Sequence, residues 1–126
     1  MNKHFYLSKK LGTFILNEKF NGYENKVKWG DTTVNLVLLA LDDELKIVEN
    51  NVNKVWDNRT EWDEEFISEI VTYLDIKGAI KLNIDSILFH NNSEFEVFFN
   101  NRVGEDTINI YASITDGVKS VSLVNR

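Results

Sequence analysis

Residues 42–78 read DDELKIVENNVNKVWDNRTEWDEEFISEIVTYLDIKG, and this stretch decides the fold. Leu45, Val48, Val52, Val55 and Trp56 fall at i, i+3, i+7, i+10 and i+11, which is one stripe of an α-helix. Asp42 or Asp43 stands where a side chain caps a helix N-terminus, and an anion there also meets the helix dipole favourably. The pattern breaks at Asp57-Asn58-Arg59 and restarts at Thr60-Glu61-Trp62-Asp63, which reads as a capping box. A second helix follows with Trp62, Phe66, Ile70, Tyr73 and Leu74 on its buried face. Lys77-Gly78 ends it, supplying a cation for the helix C-terminus and a glycine free to adopt positive φ.

On both sides of this pair the period falls from 3.6 to two. Tyr23, Asn25, Val27 and Trp29 alternate with Glu24, Lys26 and Lys28, the mark of a half-buried strand. Leu11–Asn17 precedes it as a short β-rich run, and Thr32–Leu41 follows Gly30-Asp31 as a denser apolar strand. Beyond the helices, Asp85–His90, Glu94–Asn100, Thr107–Ile114 and Val118–Val124 read as strands, the last two joined by the hairpin signal Asp116-Gly117. Strands, then two helices, then strands predict an α+β fold. The expected form is an antiparallel β-sheet of about six to seven strands, ordered three strands, two helices, four strands, with both helices packed on one face. No linker or repeat divides the chain. Residues 1–126 read as a single α+β domain, with 1–10 as a loose N-terminal segment.

Composition excludes much chemistry. The 126 residues contain no cysteine and only two histidines, His4 and His90. Disulfide scaffolds, thiolate metal sites, thiol nucleophiles and multi-histidine metal centres are therefore ruled out. The six glycines are singletons at turns or caps, so no glycine-rich loop cradles a phosphate. Asp31 with Glu44-Leu45-Lys46 imitates the acid and Glu-x-Lys pattern of metal-dependent nucleases, but a two-residue spacing on a helix points Glu44 and Lys46 apart. Neither a cofactor nor a metal is expected. The longest near-apolar run, Val34–Leu41, is too short to span a bilayer. The N-terminus shows no apolar export signal, which predicts a cytoplasmic location.

Net charge is −6, and it is unevenly spread. Residues 1–30 carry six Lys against two acids, whereas residues 31–70 carry eleven acids against three bases. The helix dipole accounts for Glu61, Asp63 and Glu64 in a first turn, but less for Glu65 and not for Glu69. Glu61, Glu65 and Glu69 recur at i, i+4 and i+8, and no Lys or Arg lies between Thr60 and Ile76. Stacking like charges costs roughly 0.2–0.5 kcal/mol per pair. Carboxylates in line on one helix do not surround a divalent ion. They do form a docking face for a basic protein. The residues expected at that contact are Asp42, Asp43, Glu61, Glu64, Glu65 and Glu69.

Leu11-Gly12-Thr13-Phe14-Ile15-Leu16-Asn17-Glu18-Lys19-Phe20, followed by Tyr23–Gly30, resembles the opening of a family of small bacterial domains of unknown function. Members begin with a Gly-x-Leu-x-Leu-Asn-x-x-Phe-like strand and continue into a two-helix middle with a Trp-Asp-Glu-like segment, as Trp62-Asp63-Glu64-Glu65 does here. Small, acidic, cysteine-free proteins of this kind are also similar in type to the immunity proteins encoded beside bacterial contact-delivered toxins. That resemblance implies a non-enzymatic cytoplasmic binding protein whose partner is a cognate toxin domain, most concretely a basic nuclease. Neither nucleic acid nor a membrane is an expected partner, and the expected state is a monomer or weak homodimer. Two alternatives belong to other classes: a small enzyme with a pocket lined by His90 and Asp85, or a structural domain that self-associates through Val118–Val124.

Overall fold

The computed structural model describes residues 4–77 and 80–125. Four strands come first: β1 (Phe5–Ser8), β2 (Gly12–Asn17), β3 (Gly22–Trp29) and β4 (Thr32–Leu38). A 3-10 turn at Asp42–Glu44 leads into α1 (Leu45–Asp57) and α2 (Arg59–Leu74), and four strands follow: β5 (Ile84–Phe89), β6 (Glu94–Val103), β7 (Asp106–Ser113) and β8 (Gly117–Asn125). The strands form one sheet in chain order from β1 to β8. Every neighbouring pair is antiparallel except β4 and β5, which run parallel with Leu36 opposite Ile87 and Leu38 opposite Phe89.

This corrects the expected sheet in three respects: there are eight strands, the helices divide them four and four, and the sheet is mixed. The missing strand is β1, inside the segment read as loose. Four residues are too few for an alternation to declare itself, and β1 exists because Phe5–Ser8 pairs with Ile15–Gly12 of β2. The parallel pair has a different origin. Two antiparallel neighbours can be joined by a tight turn, whereas a parallel pair needs a long crossover. Here α1, α2 and the segment after them return the chain to the end at which β4 began, where Lys81 meets Asp31 of the β3–β4 turn at 3.2 Å.

The central strands present alternate residues to the helices. Tyr23 and Trp29 of β3, Val34, Leu36 and Leu38 of β4, Ile87 and Phe89 of β5, and Phe95, Val97 and Phe99 of β6 are buried on that side. The helices meet them with Leu45, Val48, Val52 and Val55 from α1, and Phe66 and Ile70 from α2. Edge-on aromatic contacts key the layers together: Trp62 against Phe95 at 5.0 Å, Phe66 against Phe99 at 6.0 Å and Trp29 against Trp56 at 5.9 Å.

The helix ends differ from the capping expected. Glu44 occupies the N-cap of α1 and Asn58 that of α2, neither with a side-chain cap. Asp42 instead accepts the Tyr23 hydroxyl at 2.6 Å, and Thr60 lies within α2. The second helix stops earlier than read, at Leu74, because Asp75 turns left-handed with φ +52°. Gly78 lies outside the described residues. Tyr73, expected in the core, is half exposed.

Candidate functional site

The six acids named for docking separate into two groups. Asp43, Glu61, Glu64 and Glu69 are exposed, and none of their carboxylates makes an ion pair or a side-chain hydrogen bond among the described residues. Asp42 holds Tyr23, and burial together with that bond pushes the Tyr23 hydroxyl up to about 12. Glu65 turns away from solvent, and its carboxylate accepts the backbone N–H of Val118 at 2.5 Å. It therefore ties α2 to the edge strand β8 and breaks the expected stack of three exposed charges. The free edge of β8, the surface expected for self-association, is occupied at Val118 by this contact.

Beside the acidic face lies a cleft of about 350 Å³ between the β3–β4 turn, α2 and the segment entering β5. Asp63 and Ile67, one turn apart on α2, line it together with Trp29 and with Ile80, Leu82 and Ile84 of the segment, whose side chains are apolar. The Trp29 indole N–H donates to Asp63 Oδ1 at 2.8 Å. Burial raises the Asp63 carboxyl above its ordinary range, and neither the indole nor the positive charge of Arg59 offsets that. Arg59 is engaged elsewhere: its guanidinium lies 4.0 Å over the Trp56 ring and donates to the Trp56 carbonyl at 2.7 Å.

The cleft opens past the Asp31–Lys81 pair into a polar cavity of about 720 Å³ that includes Thr33, Asn83, Asn100 and Asn101. Lys81 holds the Asp31 carboxyl below its usual value. Both side chains are about four-fifths exposed, so this pair contributes little to stability. The irregular pairing of β6 with β7 between Phe98 and Arg102 accompanies a bracket made by Asn101. Its Oδ1 accepts the Asn83 N–H at 2.8 Å while its amide donates to the Lys81 carbonyl at 2.9 Å, shaping the cavity wall.

His90 and Asp85 do not line these cavities. His90 lies 2.9 Å from Glu96, on the sheet face opposite the helices. Nearby, the carboxylate of Glu94 receives hydrogen bonds from Lys119 and, secondly, Tyr111, which together hold it below its usual range. Asp31, Glu44 and Lys46 have separate partners in Lys81, Asn91 and Glu49. Among the described residues, no three His, Cys, Asp or Glu side chains are placed to hold a metal, and no helix is long and apolar enough to cross a membrane.

In the sequence Asp63 reads as a capping acid, whereas the fold sets it beside Trp29. A usable signal was present, since a buried indole N–H requires an acceptor. Which acid supplies it depends on how α2 crosses the sheet.

Comparison with curated proteins and with solved structures gives no match. Residues 8–77, more than half of the chain and spanning β2 to the end of α2, match the model of a family described as "Uncharacterized protein conserved in bacteria (DUF2262)". The chain belongs to that bacterial family.

Proposed function

We propose that the chain is a non-enzymatic binding protein that receives a basic protein on its helix layer, most concretely an immunity protein that neutralises a toxin domain. The observation that supports this reading is the set of exposed acids, Asp43, Glu61, Glu64 and Glu69, left without a cation of their own among the described residues. Glu61 and Glu64 are neighbours on one helix, where like charges repel. A basic partner relieves that repulsion, and the field of the acids speeds its approach. Asp42 and Glu65, which hold Tyr23 and Val118, serve the fold that presents this face.

The test is a triple reversal, Glu61→Lys, Glu64→Lys and Glu69→Lys, that leaves Asp42 and Glu65 intact. The tagged wild-type chain is recovered at native abundance from the bacterium that encodes it, alongside the variant. We expect the wild type to retain one basic protein at stoichiometric level, released by high salt. We expect the variant to lose it, and expression of that partner alone to arrest growth. Equal recovery by both proteins, or a partner that is harmless when expressed alone, would overturn the reading.

A further inference from the structure

The cleft beside α2 plays no part in that docking face, and its chemistry points to a ligand of its own. Asp63 is an acid set among apolar walls, and its carboxylate receives one hydrogen bond, from Trp29. An ionised carboxylate accepts at about four lone-pair positions, and water serves them poorly in apolar surroundings. No Lys, Arg or His of the described residues comes within ion-pair distance of it. The nearby cations are committed, Arg59 to Trp56 and Lys81 to Asp31.

With the mouth pair neutralised internally, the residues lining the cleft carry one net negative charge, that of Asp63, beside an apolar wall. The Arg59 charge acts on it only from outside that lining. An anion is repelled there, and a neutral apolar molecule would remove water from Asp63 without replacing it. A cation carrying an apolar stem meets both demands. The volume of about 350 Å³ lies within the range of small-molecule sites. A carboxyl displaced from its ordinary titration and lining a cleft is also a recurrent mark of a binding site.

We propose that this cleft binds an organic cation of the alkylguanidinium or alkylammonium class, its head group on Asp63 and its stem against Ile67, Ile80 and Leu82. The same chemistry can arrive as a free small molecule or as an arginine or lysine side chain of another protein. The acids Glu61, Glu64 and Glu69 are not part of the site, so it stands or falls separately from the docking proposal.

The experiment is an NMR titration of the full-length chain with n-butylguanidinium and, in a second arm, with Nα-acetyl-arginine amide. We expect the indole N–H resonance of Trp29 and the amides of Ile67 and Leu82 to shift saturably. Asp63→Asn keeps an oxygen for the Trp29 N–H, and the dispersion of its spectrum reports directly whether the fold is intact. It should weaken binding about tenfold or more, the loss expected for one charge-assisted hydrogen bond. The triple reversal at Glu61, Glu64 and Glu69 should leave cleft binding within a fewfold of wild type. Saturation by the free cation alone supports a small-molecule ligand, and equal or tighter binding of the blocked arginine supports a side chain. Absence of any cleft shift with either probe, or binding unchanged in the Asp63→Asn protein, would overturn the proposal.

Discussion

Glu65 shows how a single side chain departs from its place in a sequence pattern. Its i, i+4 spacing from Glu61 and Glu69 implies a shared exposed stripe, yet its carboxylate crosses to the Val118 N–H of β8. The approach is close enough to dictate the residue before Val118. Gly117 has φ +82°, and a Cβ there would stand 2.7 Å from Glu65 Oε2. Removing the acceptor strands a partly buried donor, so Glu65→Ala should cost about 1–3 kcal/mol. Glu65→Gln, which keeps an acceptor, should cost less than half as much. Gly117→Ala should cost more than about 1 kcal/mol from its positive φ alone. Urea denaturation of the three variants measures these values, and no loss in Glu65→Ala would show that the link carries no stability. Helix spacing showed on which side of α2 Glu65 lies. It held no information about a backbone N–H more than fifty residues away.

At the scale of elements, β1 and α1 hold each other. Tyr6 donates to Glu49 at 2.5 Å, and Lys46 lies 3.4 Å from the same oxygen. Burial works to raise the Glu49 carboxyl, but the hydrogen bonds from Tyr6, Ser8 and Lys46 together outweigh it and leave it below its usual range. Burial and the same bond push the Tyr6 hydroxyl up to about 12. The signs of the two effects differ. The depressed Glu49 stabilises the fold above the ordinary carboxylate range, and that contribution is lost as pH falls through its folded value. The raised Tyr6 stabilises fully below pH 10 and loses its contribution as pH rises from 10 to about 12, as does Tyr23. Urea midpoints from pH 3 to 12 should therefore trace a plateau with both limbs falling. Tyr6→Phe should shift the acid limb to higher pH and flatten part of the alkaline one. An unchanged acid limb would show that Tyr6 does not set the Glu49 titration. Of this clamp, only the apolar stripe of α1 was legible in the sequence. Glu49 sits within that helix as an ordinary polar residue until β1 is laid beside it.

For the whole molecule, the decisive feature is the parallel join of β4 to β5. The family match covers residues 8–77, which end just after α2 and contain β2 to β4 of the eight strands. Cut there, β4 would lose its partner β5, and Trp62 and Phe66 would lose Phe95 and Phe99. We expect residues 1–77 alone to show no cooperative melt by circular dichroism and no dispersed amide spectrum. A cooperative transition in this fragment would show that the first half holds a core of its own.

Legible in the chain alone are the two amphipathic helices, the alternating strands on either side of them, the burial of Phe66 and Ile70 but not that of Tyr73, and the concentration of acid in the middle third. These follow from periodicity and local charge, which neighbouring residues express without reference to distant ones. Tertiary structure alone decided that β1 is a strand, that β4 and β5 run parallel, that Glu65 faces β8 and that Asp63 faces Trp29 inside a cleft. Each joins groups far apart in the chain, and their pairing depends on how the helix crossover settles over the sheet. The concentration of acid along the middle third is therefore legible in the sequence, whereas the cleft exists only once Trp29, Asp63 and Leu82 have been brought together.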